Sequence, residues 1–332
     1  MQPATTSTTS LTFYILYNLL RFFCLPFFIF GMLYTQLKSL LLCKYFQISY
    51  TATHALSIRW FLDHVSFRDD PGSKHLVDTL PMMSKRGLIL VFLADIIWYR
   101  LLKKQMPYAG LFNNHYITQR TLEFDNIVLS YEGDVEQIIS FGAGFDTRCL
   151  TFSSSRSVCF FDCDLPSLLA IKKQTLLKLG HDTSSIYFVP IDLRTNTWIQ
   201  TLCDHGFSVN KKTLLLLEGL TPYLSHQDLL FVLDTWTSKF QQSFLLAFDI
   251  YKPSFLNSNS FLYQLFINLL LSFCKEPFQW LSHHNHFTIQ AMLTTYQLDC
   301  LDTTTLSTYK KHIADLLVLK SKSFKCKTIK KD

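Results

Sequence analysis

The sequence predicts an α/β protein built on a parallel sheet, and three observations carry that prediction. Strand-like and helix-like segments alternate from Val135 to Ile250, one run (Thr213–Leu217) is nearly all Leu, and a glycine turn closes the first strand at Gly142-Ala143-Gly144. Alternation of this kind means βαβ units. A run of Leu that short reads as a strand buried on both faces. At about 150 residues per domain, 332 residues allow one large α/β domain with additions or two smaller domains. Apolar residues make up 48% of the chain and charged residues 17%, against about 25% charged in an average domain. There is ample apolar surface for a core, which excludes intrinsic disorder for most of the chain.

Taken in order, Thr51–Gly133 reads as helices. Gly87–Leu102 is a continuous apolar segment ended by Lys103-Lys104 and Pro107, and Ile117–Ser130 is a helix carrying Arg120. Val135–Phe141 is a short strand rich in β-branched residues. Ser157–Cys163 is a second strand, and Leu165–Leu179 is a helix stopped by Gly180. Ile186–Ile191 and Thr213–Leu217 are strands, Ser225–Phe240 a helix and Phe244–Ile250 a strand, with candidate final strands at Leu298–Leu301 and Leu316–Lys320. The organisation expected is a hydrophobic segment over 1–50, a helical extension over 51–134, a sheet domain over 135–320 with a helical insertion at about 253–290, and a basic tail over 321–332.

The N-terminus stands apart. Leu11–Leu42 is almost wholly apolar, and its longest charge-free run, Phe22–Leu37, is 16 residues long with Pro26 inside it. A spanning helix needs about 20 residues, and an internal Pro kinks a helix. No basic region precedes Leu11 and no small-residue cleavage site follows, which argues against a secretory signal. Three readings stay open: a signal-anchor or interfacial membrane helix, an apolar helix packed on the protein's own body, or a misassigned start. The apolar part of Pro253–Cys274 is shorter and fits a buried or lid helix.

The net charge is +6, but six basic residues fall within Lys320–Asp332. Without that tail the balance is near neutral, and the body carries no nucleic-acid footprint. The nine Cys are odd in number and include no C-x-x-C pair. Reduced thiols in a cytoplasmic setting are the expectation, with no metal site.

The chemistry lies at the strand ends. Gly142-Ala143-Gly144-Phe145-Asp146 follows the first strand, where open α/β sheets bind ligands. Glycine there lets a ligand approach the backbone. Thr147 stands where a dinucleotide fingerprint has its third glycine, and a plain tight turn remains an alternative. Phe161-Asp162-Cys163-Asp164-Leu165-Pro166 ends the second strand with two carboxylates, Asp164 lying 22 residues beyond Gly142. A carboxylate at that place can accept both ribose hydroxyls. A helix N-cap before Pro166 would explain one of the pair equally well. Ile191-Asp192-Leu193-Arg194 and Glu218-Gly219-Leu220-Thr221-Pro222-Tyr223-Leu224 end the third and fourth strands. Burying unanswered carboxylates costs several kcal/mol, so these groups must face a cleft and polar partners. A ligand with an adenine amino group, a ribose and an ammonium or sulfonium would use all of them.

Gln137–Arg148, Phe161–Pro166, Val189–Arg194 and Glu218–Leu224 together resemble the leucine carboxyl methyltransferase family, nearest its bacterial branch of S-adenosyl-L-methionine-dependent methyltransferases. The resemblance covers about Tyr50–Lys320. It implies a class I methyltransferase (Rossmann-like) sheet with helical lid additions, and S-adenosyl-L-methionine as cofactor. It also implies that Gly142 and Gly144 line the cofactor's methionine part and that Arg120 pairs with its carboxylate. Asp164, with Asp162 beside it, takes the ribose. Asp192 and Leu193 flank the adenine, and Glu218 lies near the methionyl ammonium. Arg194 and Tyr223 are then the acceptor-positioning, catalytic pair. Members that methylate a protein phosphatase have a basic residue where this chain has Ala52, as the bacterial branch does, and the apolar first 45 residues lie outside the family pattern.

The activity expected is O-methylation of a carboxylate or hydroxyl on a small molecule or a protein C-terminus, by a cytoplasmic body with membrane contact through residues 11–42 left open. A carboxylate acceptor needs no base. A hydroxyl would need one, and His283, His284 and His286 read better as a solvated loop. Asp95, inside the apolar Gly87–Leu102 segment, reads as outward or paired. A non-catalytic adenosine-binding protein on the same fold would be free to lose Glu218 and Asp192. An NAD-dependent oxidoreductase would need the missing third glycine.

Overall fold

The computed structural model describes residues 11–102, 114–153, 158–239, 243–251, 272, 286–308 and 311–321. The expected insertion at about 253–290 lies almost wholly outside them, as do the basic tail beyond Ser321 and the side chains of His283, His284 and His286.

The first helix, α1 (Leu11–Phe46), runs 36 residues without a break at Pro26. It is followed by α2 (Tyr50–His64), α3 (Pro71–Thr79), α4 (Lys85–Val91), α5 (Leu93–Leu102) and α6 (Asn114–Tyr131). Ser49, Asp70 and Ser84 cap α2, α3 and α4, each accepting a backbone N–H three residues on. The apolar Gly87–Leu102 segment is therefore two helices that part at Phe92. Asp95 is paired, as expected: it is buried and accepts from the Tyr17 hydroxyl of α1.

Strands β1 (Gln137–Phe141), β2 (Cys159–Asp164), β3 (Ile186–Pro190), β4 (Thr213–Leu217), β5 (Phe244–Tyr251), β6 (Leu298–Thr308) and β7 (Lys311–Ser321) form one sheet in the order β3-β2-β1-β4-β5-β7-β6. The first five strands are parallel, and β7 runs antiparallel to β5 and β6. The two final strands are longer than their apolar cores predicted. Pairing across β6–β7 carries the ladder through Thr303, Thr304 and Thr305, which have no apolar signal of their own.

The helices between strands are α7 (Arg148–Ser153), α8 (Pro166–Lys178), α9 (Trp198–Asp204) and α10 (His226–Lys239), with α11 (His286–Thr295) before β6. Alternate residues of the central strands feed opposite cores, as a period of two requires. Ile138, Phe160, Leu214 and Leu216 point to the face shared with α2 and α6. Ile139, Phe161, Leu215 and Leu217 point to the face packed by Trp198 of α9 and Trp236 of α10. Both β1 and β4 are buried at all five positions, which is why the Leu run has no polar alternation. Strand order reverses between β1 and β4, so the carboxyl ends of these two strands open the crevice in which such sheets bind ligands.

Candidate functional site

A cavity of about 710 Å³ lies at that crevice. Its floor is the set of turns after β1 to β4, and its roof is α2, α6 and the turn between α1 and α2. Of the residues singled out in the sequence, Arg120, Gly142, Gly144, Asp164, Asp192, Leu193, Arg194, Glu218 and Tyr223 all line it. Asp162 does not. Its carboxylate is 1% exposed and pairs with Lys172 Nζ of α8 at 2.5 Å. Burial pushes the Asp162 pKa up against the pull of that ammonium. Alternation along β2 turns the side chains of Asp162 and Asp164 to the same face. Asp162 lies two residues deeper, where α8 covers it, and Asp164 stands at the strand end.

Both turn glycines have left-handed backbone, φ +63° at Gly142 and +52° at Gly144, a region open to glycine without strain. The neighbours that a Cβ would meet belong to the protein: Leu220 Cδ1 at 2.8 Å from Gly142 and Ala52 Cβ at 3.2 Å from Gly144. Glycine here serves the closeness of the turn to β4 and to the α2 roof. The turn is held by Asp164, whose Oδ2 accepts the Gly144 N–H at 2.6 Å and whose Oδ1 accepts the Leu165 N–H at 2.7 Å. The N-cap of α8 is Leu165, with no side-chain cap, so Asp164 is not spent as a helix cap.

Charge concentrates on the α2–α6 side. Glu218 Oε1 accepts from Arg120 Nε at 3.3 Å, and Oε2 from Arg59 Nη2 at 3.1 Å and from Arg148. Burial opposes ionisation of Glu218, but Arg148, Arg59 and Arg120 outweigh it and hold its pKa at about 2. Asp146 sits in the same cluster, 2.6 Å from Arg148 and 2.9 Å from Arg59, and is likewise held below the usual carboxylate range. Arg148 is fully buried and also bonds Asp125 at 2.5 Å and the Thr121 carbonyl at 2.8 Å, tying the turn to α6. Asp249 accepts the Gly219 N–H and the Tyr116 hydroxyl, each at 2.6 Å, and lies 3.6 Å from Arg120 Nη1.

At the opposite wall Asp192 and Arg194 face each other, with Nη2–Oδ2 at 2.6 Å and Nε–Oδ1 at 2.8 Å. The hydrogen bond from Arg194 lowers the Asp192 pKa. The Tyr223 hydroxyl donates to Thr51 Oγ1 at 2.6 Å, joining the β4 turn to the start of α2.

Sequence reasoning missed Arg59, His54 and the role of Arg148. A signal for Arg59 existed: it lies seven residues after Ala52, on the same face of α2. His54 also lines the cavity. Burial, then the charge of Arg120, lowers its pKa to about 4, so it is neutral near pH 7.

A seven-stranded sheet in this order, with one antiparallel strand and the pocket over the β1–β4 switch point, defines a Rossmann-like protein of the class I methyltransferase type. Residues 81–237 match the model of the leucine carboxyl methyltransferase family, to which this part of the chain is similar. Among curated proteins it is 38% identical over 120 residues to a provisionally named S-adenosyl-L-methionine-dependent methyltransferase of Mycobacterium marinum, covering 35% of this chain and 37% of that protein. It is 34% identical over 137 residues to another of that name from Mycobacterium avium, covering 39% and 44%. The match thus spans less than half the length of these relatives. Among solved structures it is similar to a Streptomyces avermitilis protein of a family of undefined function, at TM-score 0.46 and 11% identity, covering 61% of this chain and 83% of that one. A magnesium protoporphyrin IX methyltransferase from Synechocystis, with S-adenosylhomocysteine bound, gives TM-score 0.43 and 12% identity, covering 68% and 92%. S-adenosyl-L-methionine is the cofactor that the names of these relatives specify.

Proposed function

We propose that this protein transfers the methyl group of S-adenosyl-L-methionine to an oxygen acceptor, a carboxylate or a hydroxyl. The observation that carries the reading is the Asp164 carboxylate. It is pinned to the glycine turn and lines the cavity beside Gly142 and Gly144, in a lining that also includes Arg59 and Arg120. The donor set fits the group: a carboxylate for ribose hydroxyls, guanidinium groups for an α-carboxylate, and a polar lip for an adenine amino group. Asp164 would hold the ribose, Arg120 the carboxylate, and Asp192 with Leu193 the adenine. Glu218 orients the guanidinium groups of Arg59 and Arg120 at the pocket wall and supplies negative charge toward an ammonium.

Bound there, the cofactor supplies an already activated methyl group. What remains for the chain is alignment of the acceptor oxygen and exclusion of water. Tyr223 and Arg194, on the lips of the cavity, are the acceptor-side groups of this reading. A carboxylate acceptor needs no proton removed, and an arginine beside the pocket suits it. The reduced-thiol composition and the site of cofactor synthesis support a cytoplasmic body.

Calorimetry on the full chain tests the first half: one site per chain for S-adenosyl-L-methionine and for S-adenosylhomocysteine, in the micromolar range, and none for NAD. Absence of heat with both methionine-derived ligands on folded protein ends the reading. Transfer of an isotopically labelled methyl group into extract, with alkaline lability of the product scored, separates carboxyl esters from ethers.

A further inference from the structure

Helix α1 has no part in the pocket chemistry beyond its last turn, yet it is the longest element among the described residues. The side chains it turns toward the protein include Tyr17, Cys24, Thr35, Ser39 and Cys43, with Gly31 on the same stripe. Most of these are small or hydroxyl-bearing. They allow close helix contact: a Cβ on Gly31 would meet Leu90 Cβ at 2.8 Å, and one on Gly87 would meet Thr35 Cγ2 at 2.4 Å. The opposite face carries Phe22, Phe23, Phe30, Leu33, Leu37 and Tyr45, each between 60% and 78% exposed. A surface helix in water has the reverse arrangement, apolar residues inward and polar residues outward. Small residues at the helix contact with large apolar residues outside is the pattern of helices solvated by lipid.

The outer apolar row, from Tyr14 to Leu41, is about 40 Å long at 1.5 Å per residue, well beyond the patches that soluble monomers leave in water. Charge identifies what covers it. No Asp or Glu occurs before Asp63, whereas Arg21, Lys38 and Lys44 lie on α1 itself. Arg21 and Lys38 are half-buried on the flanks of the apolar face, Arg21 over the Tyr17 ring and Lys38 on the Met83 carbonyl, and Lys44 is exposed, so two copies paired through this face would meet basic margins without gaining an acid–base contact. An anionic headgroup layer complements them.

The geometry points to α1 as an interfacial helix, its Phe22–Tyr45 face sunk into an anionic lipid surface with the helix axis in the membrane plane. The orientation follows from how α1 is held. Phe13 and Tyr17 pack on Trp98 with ring centroids at 6.4 and 5.1 Å, Lys38 Nζ donates to the Met83 carbonyl at 2.6 Å, and Ser39 meets Thr53 Oγ1 at 2.8 Å. The protein body thus occupies the inner side along the helix's whole length, which a helix crossing the bilayer would not permit. Cys43, Lys44 and Gln47 line the cavity, and Leu165 on its other lip is 46% exposed. The cavity therefore opens beside the embedded face. Under the methyl-transfer reading, on which this last point alone rests, the acceptor is met at the lipid boundary.

The test is flotation of the full chain with vesicles of phosphatidylcholine alone and of phosphatidylcholine with 30% phosphatidylglycerol. Binding is expected to both, stronger to the anionic vesicles, and reduced but not abolished by salt. A Phe23→Ser/Leu33→Ser/Leu37→Ser variant should lose at least tenfold in partitioning while its calorimetric affinity for S-adenosyl-L-methionine stays within twofold. That second readout separates failure here from failure of the proposed activity. Quenching by lipids brominated near the headgroup, read on Phe23→Trp, Phe30→Trp and Leu37→Trp as increments over the native tryptophans, should agree within twofold. A graded series with Phe30→Trp deepest would mean a span and overturn the in-plane orientation. A full chain that stays soluble without detergent, as monomer or dimer by light scattering, and does not float overturns the proposal.

Discussion

The backbone N–H of Gly144 donates to Asp164 Oδ2 over 2.6 Å, so the turn after β1 and the acid that ends β2 form one unit. The register makes this possible: Phe141 of β1 is opposite Cys163 of β2, which puts the two strand ends level. Substituting Asp164 therefore acts twice, on the turn and on the ribose. Asp164→Ala should weaken S-adenosyl-L-methionine binding roughly 10- to 100-fold, the worth of hydrogen bonds to a charged group. Asp164→Asn keeps an acceptor for Gly144 and should lose less. Isothermal calorimetry at matched fold content reads both, and unchanged affinity in Asp164→Ala would leave the residue a turn clamp only.

Asp162 is expected to matter for stability and not for the cofactor. Lys172→Met strands a carboxylate that is 1% exposed and should cost about 3–5 kcal/mol in urea denaturation. Adding Asp162→Asn should restore much of that loss. Cofactor affinity of the double variant should stay within a few-fold of the native protein, and a tenfold loss would return Asp162 to the binding set.

Two windows of pH dependence follow from the pocket. His54, lowered to about 4, stays neutral in the folded protein while the unfolded chain takes up a proton near 6.5. Stability should therefore fall as pH drops from 6.5 to 4. Glu218, held at about 2 by its arginines against burial, contributes stability that is present above about 4.5 and is lost as pH falls from there through 2. Thermal melting of His54→Gln against pH should be flatter between 6.5 and 4 than that of the native protein, with the lower limb retained. An unaltered slope would show that another group titrates there.

Arg194 and Asp192 were assigned separately to the acceptor and the adenine, but the structure pairs them through two side-chain hydrogen bonds at the cavity's open side. Their side chains are 53% and 30% exposed, so the pair itself should be worth about 0.2–1 kcal/mol in a double-mutant cycle on stability. Arg194→Ala should leave cofactor affinity within a few-fold and depress methyl transfer. Equal loss of both would make Arg194 a positioning residue for Asp192.

Much of this site was legible because the strand ends of a parallel sheet are read directly from local pattern. A short apolar run followed by Gly, Asp or Glu marks a position at the crevice whatever the rest of the chain does. The α2 contribution was less legible. Arg59 and His54 sit in a helical segment without a strand-end signal, and their closeness to Glu218 and Arg120 spans up to 159 residues of chain. Asp162 and Asp164 show the limit from the other side. Two acids two residues apart look equivalent in sequence, and only the packing of α8 over β2, with Lys172 inward, separates the buried ion pair from the cavity carboxylate.

By itself the sequence determined the parallel sheet, the four strand-end motifs, the family resemblance and the apolar character of residues 11–42. Each of these is written in periodicity or in residues that are neighbours along the chain. Only the tertiary structure decided that three arginines converge on Glu218, that Arg194 faces Asp192, and which stripe of α1 the protein covers. The arginine cluster and the covered stripe depend on side chains brought together across the fold, where desolvation makes each buried charge choose the partner within reach, whereas Arg194 and Asp192 are chain neighbours whose pairing is set by the conformation of the exposed turn after β3. A helix apolar on all sides carries no periodic signal for its inner face. The close approach of Gly31 and Thr35 to α4 selected that face and left the large apolar residues outside.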